Sequence, residues 1–231
     1  MAHIKVILPF HNEKICNSNL LKAYATKDIK LSVSYADIEA IALRTNSEIS
    51  AATNSTLQKI IAAEKEGVDA IVINLMAEMA TDTMLEVANI PLVALPKTAF
   101  YTAALLSRKF SIVSSTQQGY DLQVKLIQQY GLEKQFASFR HVNFLAGEDY
   151  ATPENIIALT NECIKVIEED HAGAIVFGSG RIAGLAETIK KTLLEKGYDI
   201  PLIEPLPLAI QYAKLLVNLK LKQSKVDFPN S

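Results

Sequence analysis

Several apolar runs in this chain end in residues that could hold a ligand or move a proton. His11 closes the run Ile4 to Pro9. An imidazole titrates near neutrality, which makes His11 the best acid/base candidate, although a histidine in a solvated turn reads equally well. Asn74, Leu75 and Glu78 follow the run Asp69 to Ile73. Burial against Leu75 and Met76 would push the Glu78 carboxyl up toward the range of a general base, whereas the plain reading is a first-turn acid on a helix starting near Thr81. Ser179 follows Gly173 to Gly178 and precedes Gly180, Arg181, Ile182, Ala183 and Gly184. This pattern reads as backbone amides and a helix start able to bind carboxylate or phosphate, with Arg181 adding a fixed charge. Ser179 also fits a helix N-cap worth about 1 kcal/mol, and Arg181 a solvated first-turn residue. Ser114, Ser115 and Thr116 end a further run and offer neutral hydrogen bonds that orient a ligand without chemistry. The catalytic candidates are therefore His11, Glu78 and Ser179. The ligand-contact candidates are Asn74, Leu75, Ser114, Ser115, Thr116, Gly178, Gly180 and Arg181. No histidine pair at helical or hairpin spacing with an acid supports a metal site.

The elements that must position these residues repeat. Asp69 to Leu75, a helix-like segment and Ile90 to Pro96 form one copy of strand, loop, helix, strand. Gly173 to Ser179, a longer helix-like segment and Ile200 to Pro207 form another. Leu75 and Ser179 fall at equivalent points just past the carboxyl end of a strand, where open parallel sheets place their ligands. Further strands are expected at Ile4 to Leu8, Ile29 to Tyr35, Phe110 to Ser114 and, weakly, Phe139 to Phe144. Helices are expected at Asn17 to Ala25, Ser50 to Glu66, Thr98 to Leu106, Tyr120 to Tyr130, Pro153 to Glu169 and Leu208 to about Leu221. Strands alternating with helices predict an α/β fold of two pseudo-symmetric lobes, with parallel sheets flanked by helices and a ligand cleft between the lobes. The first lobe would span 1–96 and the second 97–206.

Composition excludes other classes. A formal charge of −2 over 231 residues leaves no electrostatic footprint for nucleic acid. The first apolar run turns polar too soon for a signal peptide, and no run is long enough to span a bilayer, so a cytoplasmic protein is expected. Cys16 and Cys163 are far apart and fit no metal spacing. Reduced, buried structural thiols are expected, Cys16 in the first helix and Cys163 inside an amphipathic one.

The run from Glu66 to Ile73, the run from Phe110 to Ser115, the run from Ala174 to Ala186 and the tail segment Gln223-Ser224-Lys225 together resemble the hydantoin racemase branch of the aspartate/glutamate racemase superfamily. The resemblance spans nearly the whole chain in order. It implies a cofactor-independent enzyme with its substrate between two lobes, a C-terminal helix in 207–231 packing back on the first lobe, and a tendency toward homo-oligomers. It also implies two cysteines, one per lobe, that take a proton from one face of a carbon and return it to the other. Leu75 and Ser179 stand where those thiols would be. Leu8, Pro9, Phe10 and His11 replace the family's Asn-Pro-Asn-Thr run, and Met76, Ala77 and Glu78 replace an aromatic residue, a glycine and an acid.

Leucine cannot accept a proton, and an unassisted serine hydroxyl is too weak a base at neutral pH. Two-thiol racemization is therefore not expected. The reading is an isomerase, lyase or decarboxylase of altered chemistry acting on a small carboxylate or cyclic amide; the alternative is a catalytically silent binder of a small anionic metabolite.

Overall fold

The computed structural model describes residues 1–13, 16, 18–38, 43, 46–77, 79, 81–115, 117–142, 144 and 151–230, apart from the side chains of Asn46, Gln118 and Arg181. The chain forms two compact units, one comprising Met1–Leu95 and Leu206–Ser231, the other Pro96–Pro205.

The first unit is built on a four-stranded parallel sheet. Its strands are β1 (Ala2–Leu8), β2 (Ile29–Tyr35), β3 (Ala70–Ile73) and β4 (Leu92–Ala94), in the order β2-β1-β3-β4. The helices α1 (Ser18–Tyr24), α2 (Asn46–Lys65) and α3 (Thr81–Val87) make the crossovers that parallel neighbours require. Ile4, Val6, Ile7, Ile71 and Val72 are fully buried, as expected of central strands covered on both faces. Gly67, with φ at +75°, ends the segment after α2 in a conformation that a side chain would strain.

The second unit repeats this plan. Strands β5 (Phe110–Ser114), β6 (Phe136–His141), β7 (Ala174–Phe177) and β8 (Leu202–Ile203) pair in parallel in the order β6-β5-β7-β8. Helices α5 (Tyr120–Gln129), α6 (Pro153–Glu168) and α7 (Ala186–Glu195) connect them. The duplication evident in the sequence for β3 and β4 against β7 and β8 thus extends over both sheets, because the two strand orders are the same permutation. Each last strand runs almost directly into a helix, α4 (Leu95–Leu106) after β4 and α8 (Pro205–Leu219) after β8.

Some boundaries differ from the expectation. Strand β6 lies at Phe136–His141 rather than Phe139 to Phe144, because pairing with β5 continues back to Phe136 through an irregular step near Phe110. The half-buried residues of β6 give no clean alternation, which is why its pattern is weak. Helix α2 starts at Asn46, and α4 and α8 begin three residues ahead of expectation, with proline inside the first turn where its missing N–H costs nothing. Among the described residues no helix is long and apolar enough to cross a membrane.

Candidate functional site

In parallel sheets the carboxyl ends of the strands gather the loops that bind ligands. In the second unit, β5 and β7 are adjacent, so the loops after Ser114 and after Phe177 meet. Ser115 is fully buried, and its hydroxyl donates to that of Ser179 at 2.8 Å. Gly178 continues the ladder by donating its N–H to the Val113 carbonyl at 2.9 Å. Its own carbonyl accepts from Gln123 Nε2 at 2.7 Å. Gln123 lies in the first turn of α5, only 2% exposed, so the start of a ten-residue helix stands beside the Gly178–Ser179 turn. A short 3-10 turn, Gln117–Gly119, leads directly into α5, whose start carries the positive end of its helix dipole.

The structure brings Ser114, Ser115, Gly178, Ser179 and Gly180 together at one end of the second sheet, through the β5–β7 pairing and the Ser115–Ser179 bond. Ser114 is buried, and its carbonyl accepts from Val142, so its backbone closes the sheet end. Two expectations about this turn are corrected. Gly180–Ile182 is a short 3-10 turn and α7 begins only at Ala186, capped by Leu185, so Ser179 is not the N-cap of a helix. The intervening Gly184, with φ at +83°, donates its N–H to the Glu204 carboxylate at 2.8 Å. Thr116 lies outside the described residues, as does the side chain of Arg181.

The first unit gathers its own cluster at the ends of β1, β2 and β3. Asn74 is 4% exposed and donates its N–H to the Ile7 carbonyl, extending the sheet by one step. Leu75 then turns back, its N–H reaching the Ile73 carbonyl at 3.1 Å, an i to i+2 turn that leaves the side chain half-buried. Leu75 and Ser179 each stand two residues past the end of the equivalent strand, β3 and β7.

Cys16 does not lie in the first helix. It precedes α1 in the loop after β1, fully buried, with its thiol hydrogen-bonded to the Asn74 side chain. Burial pushes the thiol up to about 11, and the bond to Asn74 offsets only part of that, so at neutral pH Cys16 is protonated. The Tyr35 hydroxyl donates to the Cys16 carbonyl at 2.7 Å, and burial raises Tyr35 to about 12. The Tyr35 ring stacks on His11, centroids 4.8 Å apart. His11 is fixed by its backbone N–H to the Ile38 carbonyl, while its ring is 53% exposed and 3.6 Å from Glu13. His11, Cys16, Tyr35 and Asn74 therefore form one patch. Glu78 lies outside the described residues. Cys163 is buried on α6 in the second unit's apolar core, and that burial lifts its thiol to about 12.

Gln123 and Tyr35 escaped the sequence reading. Gln123 did carry a signal: it stands three and four residues before the buried Leu126 and Ile127, on the apolar stripe of α5, where a polar residue needs an internal partner. Tyr35 sits at the end of an alternating strand, and nothing local separates it from a packing aromatic.

Known proteins share this organisation. Residues 24–213 match the family model for Asp/Glu/Hydantoin racemase. A hydantoin racemase of Pseudomonas sp. (strain NS671) is 28% identical over 171 residues, 74% of this chain and 67% of that protein. Among solved structures, allantoin racemase from Klebsiella pneumoniae superposes with a TM-score of 0.87 at 26% identity, covering 100% of this chain and 94% of that one. Allantoin racemase from Pseudomonas fluorescens gives the same TM-score at 23% identity over 99% and 97% of the two chains, a likeness of fold. With the family's pattern matched from residue 24 to residue 213, most of its length, the chain belongs to the Asp/Glu/Hydantoin racemase family.

Proposed function

We propose that this chain binds a small carboxylate or cyclic amide at the strand ends of its second unit and converts it without the paired thiols of the racemase mechanism, as an isomerase, lyase or decarboxylase of altered chemistry. The observation that carries this reading is the Ser115–Ser179 hydroxyl pair, at the point where the family resemblance calls for the second thiol. Hydroxyls beside the amides of α5 bind and polarise a carboxylate or amide, but they do not deprotonate a carbon. Leu75, matching the first thiol, supplies no proton carrier either. Cys16 bonds Asn74, the neighbour of Leu75, but its raised thiol stays protonated at neutral pH and takes up no proton. The proton carriers proposed from the sequence are His11 and, as the other candidate, Glu78. Arg181 and Thr116 complete the proposed ligand contacts. The relatives named for hydantoin and allantoin support a ligand that carries an amide beside its carbon acid. No cofactor, a cytoplasmic location and a homo-oligomeric state belong to the same proposal.

The exposed ring of His11 favours a second reading, a silent binder of a small anion, because a proton carrier works best desolvated and held in place. Incubation with 5-substituted hydantoins, allantoin, aspartate and malonates in deuterated water, followed by NMR, separates the two. The first reading expects turnover that survives thiol alkylation and is lost in His11→Ala. Alkylation-sensitive α-proton exchange would overturn it, and binding without turnover of any of these compounds would favour the second.

A further inference from the structure

Among the described residues the two most exposed large apolar side chains are Val226, 92% exposed, and Leu105, 86% exposed. One belongs to each unit. A single apolar side chain in water is ordinary on a protein surface. Val226 differs because the chain is fastened around it. The Ser224 hydroxyl oxygen accepts from the Val226 and Asp227 amides at 3.3 and 3.2 Å, the Phe228 N–H reaches the Ser224 carbonyl at 3.0 Å, and Lys225 is anchored on the last carbonyls of α3. The turn thus presents Val226 and the exposed Asp227 as a knob ordered by folding itself, so a contact made there loses little further chain entropy.

Leu105 borders a groove in the second unit. Leu105 and Leu106 are the last residues of α4, and with Ala104, Ser107, Arg108 and Gln135 they line a cleft of about 550 Å³. Ser107 Oγ lies 3.0 Å from the carbonyls of both Ala103 and Lys109, which ties the segment carrying Arg108 to the helix end. Arg108 is exposed and, like Asp227, enters no ion pair among the described residues. An apolar wall beside a cation in one unit answers an apolar knob beside an anion in the other, and both stay exposed in the single chain. We propose that the Val226–Asp227 turn of one copy docks in the α4 groove of a second copy, with Val226 against Leu105 and Leu106 and the Asp227 carboxylate on the Arg108 guanidinium. Knob and groove are different surfaces of one chain, so the contact is heterologous. It names the surfaces behind the homo-oligomeric state proposed above and rests on that reading, while owing nothing to the ligand site.

The test is sedimentation of the full chain over a range of concentrations at low salt, where exposed charges are least screened. Wild type is expected to self-associate. Arg108→Asp alone, or Asp227→Arg alone, sets like charges face to face and should weaken association by about tenfold. Val226→Ser should weaken it without touching a charge. The double variant Arg108→Asp with Asp227→Arg should associate like wild type, and an equimolar mixture of the two single variants should form mixed assemblies. Melting temperatures should stay close to wild type, since these side chains are exposed and make no bond within the chain. Restoration by reversing both charges has no explanation in a local structural effect, because the pair it repairs lies on two molecules. A wild type that associates exactly as all the variants do overturns this docking while leaving a homo-oligomer standing through another surface. A wild type that stays monomeric to about 1 mM overturns both.

Discussion

The Ser115 hydroxyl donates to the Ser179 hydroxyl at 2.8 Å, tying together two strand ends 64 residues apart in sequence. Ser115 is fully buried and Ser179 only partly so, which makes the two ends of this bond unequal. Ser179→Ala strands a buried donor and is expected to cost about 1 to 3 kcal/mol, whereas the double change to alanine removes donor and acceptor together and should cost less than the sum of the singles. Urea unfolding of the four proteins measures the coupling. Strictly additive values would mean that the bond contributes nothing to the folded state.

The two thiols should make stability fall in base. Cys16 and Cys163 sit at about 11 and about 12 in the folded chain, both through burial, against an ordinary value of 9.0. A folded value raised above the unfolded one favours folding in full below the unfolded value. As pH climbs from about 9 to about 11, the unfolded thiols ionise first, the unfolded state holds fewer protons, and stability drops. Chemical denaturation of wild type and of Cys163→Ala between pH 8 and pH 11 should show a shallower decline in the variant, even if its stability at pH 8 is lower. Parallel pH dependences would show that this thiol does not titrate differently on unfolding. Native protein at pH 8 should also resist iodoacetamide at both positions.

The fold was legible in the sequence because central parallel strands are continuous apolar runs, and Ala70–Ile73 and Ala174–Phe177 announce themselves twice. The edges were harder to read. Strand β6 packs only half-buried side chains, so neither face imposes a period, and its register is set by β5. The site was legible to the extent that it depends on strand ends: Ser115 and Ser179 follow from β5 and β7 alone. The partnership of Cys16 with Asn74 depends on how the loop after β1 folds back over β3, a contact across 58 positions that no local pattern encodes. The Gly184 amide after Ser179 likewise meets a partner 20 positions away, the Glu204 carboxylate, which no local pattern encodes.

The tail segment singled out by resemblance has a structural task in the first unit. Gln223 pairs with both backbone groups of Leu92, accepting at 3.1 Å and donating at 2.7 Å, and so acts as one residue of an extra strand along the β4 edge. Lys225 Nζ donates to the Leu85 and Glu86 carbonyls, each at 2.8 Å, where α3 leaves its last carbonyls unpaired. Lys225→Met, which keeps the aliphatic stem, should destabilise by about 1 to 3 kcal/mol, and hydrogen exchange should quicken in α3 and β4 ahead of the rest of the unit. Uniform exchange changes, or none, would show that the tail is not what holds this edge.

Arg140 on β6 gathers the carboxylates at the end of α6. Its Nε meets Asp170 at 2.7 Å and Nη2 meets Glu169 at 2.6 Å, while the Ser138 hydroxyl donates to the same Asp170 carboxylate. The bond from Arg140 holds the Asp170 carboxyl below its ordinary value, with the Ser138 hydroxyl adding to the effect against a partial burial cost. A depressed folded value contributes stability above the unfolded value, and that stability is lost as pH falls through the folded one. Arg140→Met is therefore expected to lower stability by about 1 to 3 kcal/mol at pH 7, because it leaves a partly buried carboxylate with its guanidinium partner gone. The gap from wild type should narrow steadily as pH drops below the ordinary carboxylate range, since protonating Asp170 removes what Arg140 was holding. Asp170→Asn should show the same narrowing with Arg140 intact. Denaturation midpoints for the three proteins from pH 7 to pH 2.5 give the answer, and a gap that persists undiminished at the acid end would assign the effect of Arg140 to packing of its stem rather than to charge.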